Sequence, residues 1–188
     1  MKRIVHSDIK QGNILIDSNI NVKLTDFSVS SSYSEFDDNQ KIIFPFAGTG
    51  KYISPEIIEN KEVYAKDSSK IDIYSLGITL FYLAYGTYPY NLKEVSSSDY
   101  DKILKTLKEQ EELIFPEKRK ISPMFKDFLK GILQIDINKR YNVNQAFEHS
   151  WIKGAEIIND EKEIVSCLDK FTVEIFTDSI IEFNKYIK

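Results

Sequence analysis

The sequence predicts a mainly α-helical domain that carries one small β-hairpin. Residues 70–85 are apolar on nearly every side, and residues 100–110 and 124–133 repeat apolar side chains at helical spacing. By contrast, residues 14–25 combine two short apolar runs with a turn-forming stretch between them, which is typical of a hairpin. We therefore expect helices to supply most of the core.

Composition limits the classes of protein to consider. The 188 residues fit one domain or part of a larger one, and 42% hydrophobic residues predict a packed core. Twenty-five Lys and Arg residues oppose 29 Asp and Glu residues without a basic block, so we expect no nucleic-acid binding. The longest apolar run, residues 75–85, is shorter than the roughly 20 residues of a membrane span.

Cysteine and histidine usage indicates a reducing compartment. Cys167 is the only cysteine, so no internal disulfide can form, and two histidines offer little for a zinc site. No apolar segment follows the first charged residues, so we expect no signal peptide. The expected location is cytoplasmic.

A short polar loop near the start concentrates groups that carry chemistry. It reads His6-Ser7-Asp8-Ile9-Lys10-Gln11-Gly12-Asn13. Asp8 supplies an acid, Lys10 a base two residues later, and Asn13 an amide three residues after that. Apolar segments on both sides predict a core that holds these polar groups in fixed positions.

The hairpin predicts a second polar group beside this loop. If Ile16 faces Val22 in an antiparallel ladder, Asn13 lies opposite Thr25 and next to Asp26. The α-carbons of such a pair are roughly 5 Å apart. An amide and a carboxylate at one place suit a magnesium ion shared with phosphates. The alternative is a hairpin with polar ends by chance, since Asn and Asp are common turn residues.

The polar loop resembles the catalytic loop of protein kinases, H-R-D-L-x-x-x-N, with Ser7 in place of the arginine. Four further segments resemble kinase motifs in the order of the family. They are Asp26-Phe27-Ser28 for D-F-G, residues 48–56 for G-T-x-x-Y-x-[AS]-P-E, residues 72–77 for D-x-x-S-L-G, and residues 136–140 for D-x-x-x-R. The resemblance covers residues 1–152.

The resemblance implies a fold and a set of roles. Residues 1–152 would form the C-terminal lobe of a serine/threonine protein kinase, and residues 153–188 a helical C-terminal extension. Asp8 would accept the proton of the substrate hydroxyl, and Lys10 would offset charge on the transferred phosphoryl group. ATP and Mg²⁺ would be the cofactors. Asn13 and Asp26 would hold the metal ion, and Thr49 would help to bind the substrate.

Four other residues would be structural. His6 would brace the catalytic loop, Asp72 would hold the backbone of that loop, and Glu56 would pair with Arg140 across the lobe. The alternative for Asp72 is a surface carboxylate stabilised by a helix dipole. The alternative for Arg140 is a solvated side chain that contributes little.

Two departures from the family pattern affect regulation. Ser7 replaces an arginine that in many kinases pairs with a phosphate on the activation loop, here the long loop predicted over residues 29–47. Ser28 replaces a glycine and narrows the backbone freedom beside Asp26. We therefore expect activity that does not depend on phosphorylation of the loop serines, which are Ser30, Ser31, Ser32 and Ser34.

The 188 residues contain no glycine-rich nucleotide loop and no strand lysine of the V-A-I-K kind. In the family these would precede residue 1, so we expect the N-terminal lobe to be absent and the chain by itself to be a poor catalyst. An uncovered lobe would expose apolar surface to a partner or to residues 171–186. Those residues would be a packed appendage or, alternatively, an autoinhibitory or partner-binding helix.

Two functions remain open from the sequence. The first is a protein kinase lobe that transfers the γ-phosphoryl group of ATP to a protein Ser or Thr hydroxyl. The second is a non-catalytic kinase-like scaffold that binds a partner through the open surface of the lobe. Within the family, Val29-Ser30 and residues 113–116 resemble the Ca²⁺/calmodulin-dependent protein kinase kinases.

Overall fold

The fold was obtained as a computed structural model, and the description covers residues 2–17, 21–34, 38–110, 112–117 and 121–154. The elements below belong to a unit that spans Met1–Lys153. Apart from Lys153 and Gly154, the predicted extension over residues 153–188 lies outside the described part of the chain.

Helices form the main part of the described chain, as the sequence predicts. They are α1 (Pro55–Ile58), α2 (Ser69–Tyr85), α3 (Tyr100–Glu109), α4 (Pro123–Ile132), α5 (Val143–Glu148) and α6 (Ser150–Lys153). Single 3₁₀ turns occur at Gln11–Asn13, Gly50–Tyr52, Ala65–Asp67 and Leu92–Glu94. The described helices have no segment long and apolar enough to cross a bilayer.

Short strands pair in three antiparallel ladders. The strands are β1 (Lys2–Val5), β2 (Ile14–Ile16), β3 (Val22–Leu24), β4 (Ser31–Ser34), β5 (Lys41–Ile43) and β6 (Glu62–Tyr64). The predicted hairpin is β2–β3, while β1 pairs with β4 and β5 pairs with β6. The predicted hairpin is confirmed, but the segment predicted as a long loop over residues 29–47 contains the strands β4 and β5. Both additional ladders join distant segments, which local periodicity cannot reveal.

The centre of the core is α2. Its side chains Tyr74, Ile78 and Phe81 are almost completely buried. A β-carbon at Gly77 would lie 2.8 Å from side-chain atoms of Leu133, so glycine allows α2 to approach the end of α4 closely. The all-round apolar pattern of residues 70–85 correctly indicated a buried helix.

The amphipathic helices α3 and α4 follow their predicted limits to within one residue. Each begins with a side-chain cap: Asp99 accepts from the N–H of Lys102, and Ser122 accepts from the N–H of Phe125. Each helix buries one apolar face against α2 or its neighbours, as the i, i+3, i+4 spacing predicted.

The last predicted helix, residues 142–151, is in fact two short helices. Asn142 and Gln145 form a capping box that starts α5. His149 then adopts an extended backbone (φ −63°, ψ 139°), and its Nδ1 accepts from the N–H of Trp151 at 3.1 Å. The extended backbone of His149 thus ends α5, and the side chain of the same residue caps the start of α6.

A second, smaller hydrophobic cluster lies beside the β5–β6 ladder. It consists of Val5, Phe44, Ile53, Ile57, Val63 and Ile71. Val5 belongs to β1, the strand that leads into the polar loop, whereas Ile71 belongs to α2. This cluster therefore joins the strand before the polar loop to the segment before Thr49.

Candidate active site

Three side chains converge on the buried carboxylate of Asp8. Its Oδ1 accepts from the hydroxyl of Thr49 at 2.6 Å. Its Oδ2 accepts from Nζ of Lys10 at 2.8 Å and from Nδ2 of Asn13 at 3.0 Å. Nζ of Lys10 also donates to the Thr49 hydroxyl at 2.6 Å, which closes a ring of polar contacts. The structure thus brings four of the predicted site residues together.

A local turn explains how Asn13 reaches Asp8. Residues Gln11–Asn13 form a 3₁₀ turn in which the N–H of Asn13 donates to the carbonyl of Lys10 at 2.9 Å. The turn folds the amide back over the loop, where Nδ2 also donates to the Asp8 carbonyl at 2.8 Å. These bonds fix the amide, with Nδ2 committed to Asp8 and Oδ1 as its acceptor atom.

His6 is buried and braces the loop through both ring nitrogens. Its Nδ1 accepts from the N–H of Asp8 at 3.3 Å, which assigns the ring hydrogen to Nε2. Nε2 in turn donates to the carbonyl of Thr25 at 2.9 Å. The ring also packs against Phe27, with 4.6 Å between the centroids. His6 therefore links the polar loop to the segment that carries Asp26.

Asp72 supports the loop from α2. Its carboxylate oxygens accept from the N–H of His6 at 2.8 Å and from the N–H of Ser7 at 2.9 Å. Burial raises the pKa of Asp72, and the two backbone hydrogen bonds oppose that shift. The alternative of a carboxylate that only interacts with the helix dipole does not account for these two hydrogen bonds to the polar loop.

Ser7 and Gly48 meet at a close backbone contact. Ser7 has a left-handed backbone (φ 66°), and Gly48 has φ 113°. A β-carbon at Gly48 would lie 2.5 Å from the Ser7 carbonyl oxygen, closer than real β-carbons approach. Only glycine therefore lets the segment that carries Thr49 pass over the polar loop.

Asp26 lies beside Asn13 through the hairpin backbone. The predicted register is confirmed, with Ile16 opposite Val22 and the N–H of Thr25 donating to the Asn13 carbonyl at 3.0 Å. Asp26 itself is exposed and has φ 63°. The sequence therefore correctly placed Asn13 next to the segment that contains Asp26.

Ser28 contacts the Asp26 carboxylate directly. Its hydroxyl donates to Oδ1 at 2.6 Å, and its N–H approaches the same oxygen at 3.4 Å. These two hydrogen bonds lower the pKa of Asp26, the hydroxyl contributing more. The serine that replaces the glycine of D-F-G thus adds a donor to this site, which the sequence did not indicate.

The donor chemistry of Asn13 and Asp26 fits a magnesium ion shared with phosphates. An amide oxygen and an exposed carboxylate are hard ligands, and Mg²⁺ typically takes only one or two protein oxygens together with substrate phosphates and water. No group of three or more His, Cys, Asp or Glu side chains in the described residues could hold a metal ion.

The segment after Thr49 is tied to the polar loop and to α2. The hydroxyl of Tyr52 donates to Oε1 of Gln11 at 2.7 Å, while the hydroxyl of Ser75 donates to the Tyr52 carbonyl at 2.8 Å. Sequence reasoning missed Gln11, because glutamine in a polar loop gives no sign of a distant partner.

Lys51 is a buried residue that the sequence did not single out. Its Nζ lies 4.6 Å from the centroid of the Tyr88 ring and donates to the Lys93 carbonyl at 3.3 Å. Burial lowers the pKa of Lys51, and the nearby charge of Glu94 opposes that shift. Lysine is usually solvent-exposed, and no pattern in the neighbouring sequence predicted the burial of Lys51.

Glu56 and Arg140 form a separate, buried ion pair. Nη1 and Nη2 of Arg140 donate to the two Glu56 oxygens at 2.8 and 3.0 Å. The other donors of Arg140 bind the carbonyls of Lys70, Gln134 and Ile135. All five guanidinium N–H groups are used, which a lysine could not reproduce. The solvated alternative for Arg140 was therefore wrong.

A large groove lies outside this cluster. It encloses about 940 Å³ between α1, β6 and the ends of α3 and α4. Glu59, which accepts from Lys61 and Lys108 at 2.5 Å each, is part of its lining, whereas Asp8, Lys10 and Asn13 are not. The groove therefore does not contain the cluster around Asp8.

The amino-acid sequence matches a known protein family. The model of the protein kinase domain matches residues 1–152. The chain is 32% identical over 152 residues to testis-specific serine/threonine-protein kinase 2 of Mus musculus, covering 80% of this chain and 40% of that protein. It is 35% identical over 157 residues to dual specificity mitogen-activated protein kinase kinase 7 of Mus musculus, covering 82% and 28%.

A third relative is a cell cycle serine/threonine-protein kinase of Saccharomyces cerevisiae, 29% identical over 153 residues. That match covers 81% of this chain and 20% of the relative. The chain thus spans between 20% and 40% of the length of these three proteins. Because the family model matches most of the chain, the chain belongs to the protein kinase family.

Proposed function

We propose that residues 1–152 are the C-terminal lobe of a serine/threonine protein kinase, which transfers the γ-phosphoryl group of ATP to a Ser or Thr hydroxyl of a protein. The observation that carries this proposal is the set of donors on Asp8. A carboxylate held by Lys10, Asn13 and Thr49 is a fixed base next to a fixed positive charge. Phosphoryl transfer depends mainly on such positioning and electrostatics.

The chemical step assigns a role to each side chain. The substrate hydroxyl would bind at the Asp8 carboxylate beside the Thr49 hydroxyl, which would help to hold it, and Asp8 would accept its proton. The hydroxyl oxygen forms a bond to the γ-phosphorus as the bond from that phosphorus to the bridging oxygen breaks, and ADP leaves with the electron pair. Lys10 would offset the charge that spreads over the transferred group.

Asn13 and Asp26 would hold magnesium, Asn13 through its amide oxygen and Asp26 through its carboxylate. The ion would offset phosphate charge when bound. The neighbouring backbones of the two residues, joined through Thr25, support this assignment. Ser28 would keep the Asp26 carboxylate in one orientation by its hydroxyl.

A second candidate function is a non-catalytic scaffold that binds a protein partner. The hairpin β2–β3 favours it, because the side chains of Leu15, Ile16, Val22 and Leu24 are each 44% to 66% exposed. Neighbouring exposed apolar side chains of this kind often mark a site where another protein binds. The cytoplasmic location and the similarity to Ca²⁺/calmodulin-dependent protein kinase kinases stay predictions.

Replacement of the base tests the kinase function. In the complete protein that carries these residues, Asp8→Asn should lower transfer of labelled γ-phosphate to myelin basic protein by at least about 100-fold, because the proton acceptor is lost. The matched control is Asp101→Asn, an exposed carboxylate on α3. It should leave the rate unchanged.

Calorimetry separates the two candidate functions. Magnesium-dependent binding of ADP to the wild-type protein, weakened by Asp26→Asn, supports the kinase. If the wild type neither binds ADP with magnesium nor transfers phosphate, the scaffold is the better account. Equal transfer rates for Asp8→Asn and the wild type would also contradict the assignment of the base.

A further inference from the structure

Two adjacent residues of the polar loop each bind the segment that carries Thr49. Nζ of Lys10 donates to the Thr49 hydroxyl at 2.6 Å. Oε1 of Gln11 accepts from the hydroxyl of Tyr52 at 2.7 Å. The first contact belongs to the cluster around Asp8, whereas the second lies outside that cluster and has no part in the chemical step given above. The polar loop is thus joined to this segment at two separate points.

The backbone couples Tyr52 to Thr49. The N–H of Tyr52 donates to the carbonyl of Thr49 at 2.9 Å, and this bond closes the 3₁₀ turn Gly50–Tyr52. The N–H of Ile53 donates to the carbonyl of Gly50 at 3.1 Å. Because two backbone hydrogen bonds span this short turn, a displacement of Tyr52 also displaces Thr49.

The hydroxyl of Tyr52 depends on Gln11 as its acceptor. Tyr52 is only 5% exposed, and its ring packs edge-on against Tyr88 with 5.8 Å between the centroids. A second contact, to the Tyr88 hydroxyl, is 3.4 Å long and therefore much weaker. A buried hydroxyl that loses its acceptor is destabilised, so removal of the Gln11 amide should displace the Tyr52 side chain.

These contacts lead from the polar loop back to the base. Gln11 binds Tyr52 by a side-chain hydrogen bond, and Tyr52 binds Thr49 through the backbone. The hydroxyl of Thr49 then donates to Oδ1 of Asp8 at 2.6 Å. Gln11 therefore influences the distance between Thr49 and Asp8 by way of Tyr52.

We propose that Gln11 is a positioning residue for the protein substrate: through Tyr52 it holds Thr49 at a fixed distance from the base. The proposal rests on the kinase function given above and adds a residue to its substrate side. The base itself is held by other residues of its loop, so the loss of Gln11 acts on binding of the protein substrate.

Steady-state kinetics of the complete protein test this role. Gln11→Met keeps the length of the side chain but removes the acceptor, so it should raise KM for myelin basic protein about tenfold and leave kcat within about twofold. A purely structural defect would instead lower kcat at an unchanged KM, because fewer molecules would be active. Gln11→Glu, whose carboxylate accepts hydrogen bonds, should keep KM within about twofold of the wild type.

The matched control is Gln134→Met. The amide of Gln134 donates to the carbonyl of Lys130 in α4, outside the site. This variant should therefore leave both KM and kcat unchanged.

Tyr52→Phe removes the other half of the contact and keeps the buried ring, so the test stands even if Gln11→Met fails to fold. It should raise KM to a similar extent. The double variant should add no more than about a further twofold, because both changes remove the same hydrogen bond. A KM for the double variant that multiplies the two single effects would overturn the proposal, as would a lower kcat at the wild-type KM in either single variant.

Hydrogen exchange gives a readout that needs no activity. The amides of Tyr52 and Ile53 should exchange at least about threefold faster in Gln11→Met than in the wild type, and at the wild-type rate in Gln134→Met. Equal exchange in Gln11→Met and the wild type would overturn the link between Gln11 and the turn.

The two proposals fail in different ways. A wild-type protein that neither binds ADP with magnesium nor transfers phosphate would overturn the kinase function, and the role of Gln11 with it. Phosphate transfer by the wild type together with an unchanged KM in Gln11→Met would overturn the role of Gln11 alone.

Discussion

The contact between Ser7 and Gly48 joins two segments at the level of single atoms. The left-handed backbone of Ser7 turns its carbonyl towards Gly48, while its N–H donates to Asp72. At Gly48 both the positive φ and the short approach exclude a side chain. The position of Thr49 therefore depends on the absence of one methyl group.

Gly48→Ala should lower the free energy of unfolding by about 2–4 kcal/mol, since strain at positive φ adds to a clash with backbone. Urea unfolding followed by circular dichroism measures this value. Gly86→Ala is the matched control, because Gly86 also has positive φ (68°) but no atom within 4 Å of the added β-carbon. Its cost should be about 1 kcal/mol.

Equal costs for Gly48→Ala and Gly86→Ala would mean that the backbone at Ser7 moves away easily when a β-carbon is added at Gly48. The contact between Ser7 and Gly48 would then not position Thr49.

At the scale of elements, α2 is the common support of the site. Asp72 holds the polar loop, Ser75 holds Tyr52, and the ring of Tyr74 lies 4.8 Å from the guanidinium carbon of Arg140. One helix thus contacts the polar loop, the segment after Thr49 and the buried ion pair. A substitution in α2 can therefore alter all three of these parts of the structure.

Replacement of two buried tyrosines by phenylalanine should change the free energy of unfolding in different ways. The hydroxyl of Tyr74 has no hydrogen-bond partner among the described residues, whereas that of Tyr90 donates to the Leu133 carbonyl. Tyr74→Phe should leave the free energy of unfolding unchanged or raise it slightly, because an unsatisfied hydroxyl is removed. Tyr90→Phe should lower it by about 1–3 kcal/mol, because a buried carbonyl loses its donor.

Urea unfolding of both variants at pH 8 supplies the comparison. A larger loss for Tyr74→Phe than for Tyr90→Phe would show that the Tyr74 hydroxyl has a bound partner, such as water, that stabilises the fold.

The elements also show what the sequence could predict. The helices α2, α3 and α4 and the hairpin β2–β3 arise from local periodicity and turn residues, so their limits were predictable. The ladder β5–β6 was not, because its three-residue strands are stabilised by Phe44 and by a partner about 20 residues away. The break at His149 was likewise hidden, since it depends on a ring nitrogen that caps α6.

In the site, too, the sequence predicted the features that depend on local motifs and missed those that depend on distant contacts. The motif pattern predicted which residues gather around Asp8, and the register of the hairpin predicted the place of Asn13. The contacts of Ser28 with Asp26, of Gln11 with Tyr52 and of Lys51 with Tyr88 come from tertiary packing, which leaves no local trace in the sequence.

For the whole molecule, buried tyrosines link stability to alkaline pH. Burial raises the pKa of Tyr52, Tyr74 and Tyr90. In the unfolded chain they ionise near pH 10, so above that pH the folded state binds protons that the unfolded state has lost. Their contribution is therefore complete below about pH 10 and decreases as pH rises further.

We expect the free energy of unfolding in urea to decrease steeply between about pH 10 and pH 11. Tyr74→Phe should reduce this slope, because one of the three buried phenols is removed. The lowered pKa of Lys51 acts in the opposite direction, but one lysine opposes three phenols. A free energy of unfolding that stays constant through this range would show that burial does not raise the pKa of these three tyrosines.

The buried pair of Glu56 and Arg140 has a consequence for synthesis of the chain. Its partners are 84 residues apart, an interval that a ribosome translates in roughly 4–17 s at about 5–20 residues per second. Asp72 likewise follows His6 by 66 residues. Lys10 and Asn13 are made soon after Asp8, whereas Asp72, which supports their loop, is made much later. During translation the polar loop therefore emerges before its support, and its two backbone hydrogen bonds to Asp72 can form only after the start of α2 has been made.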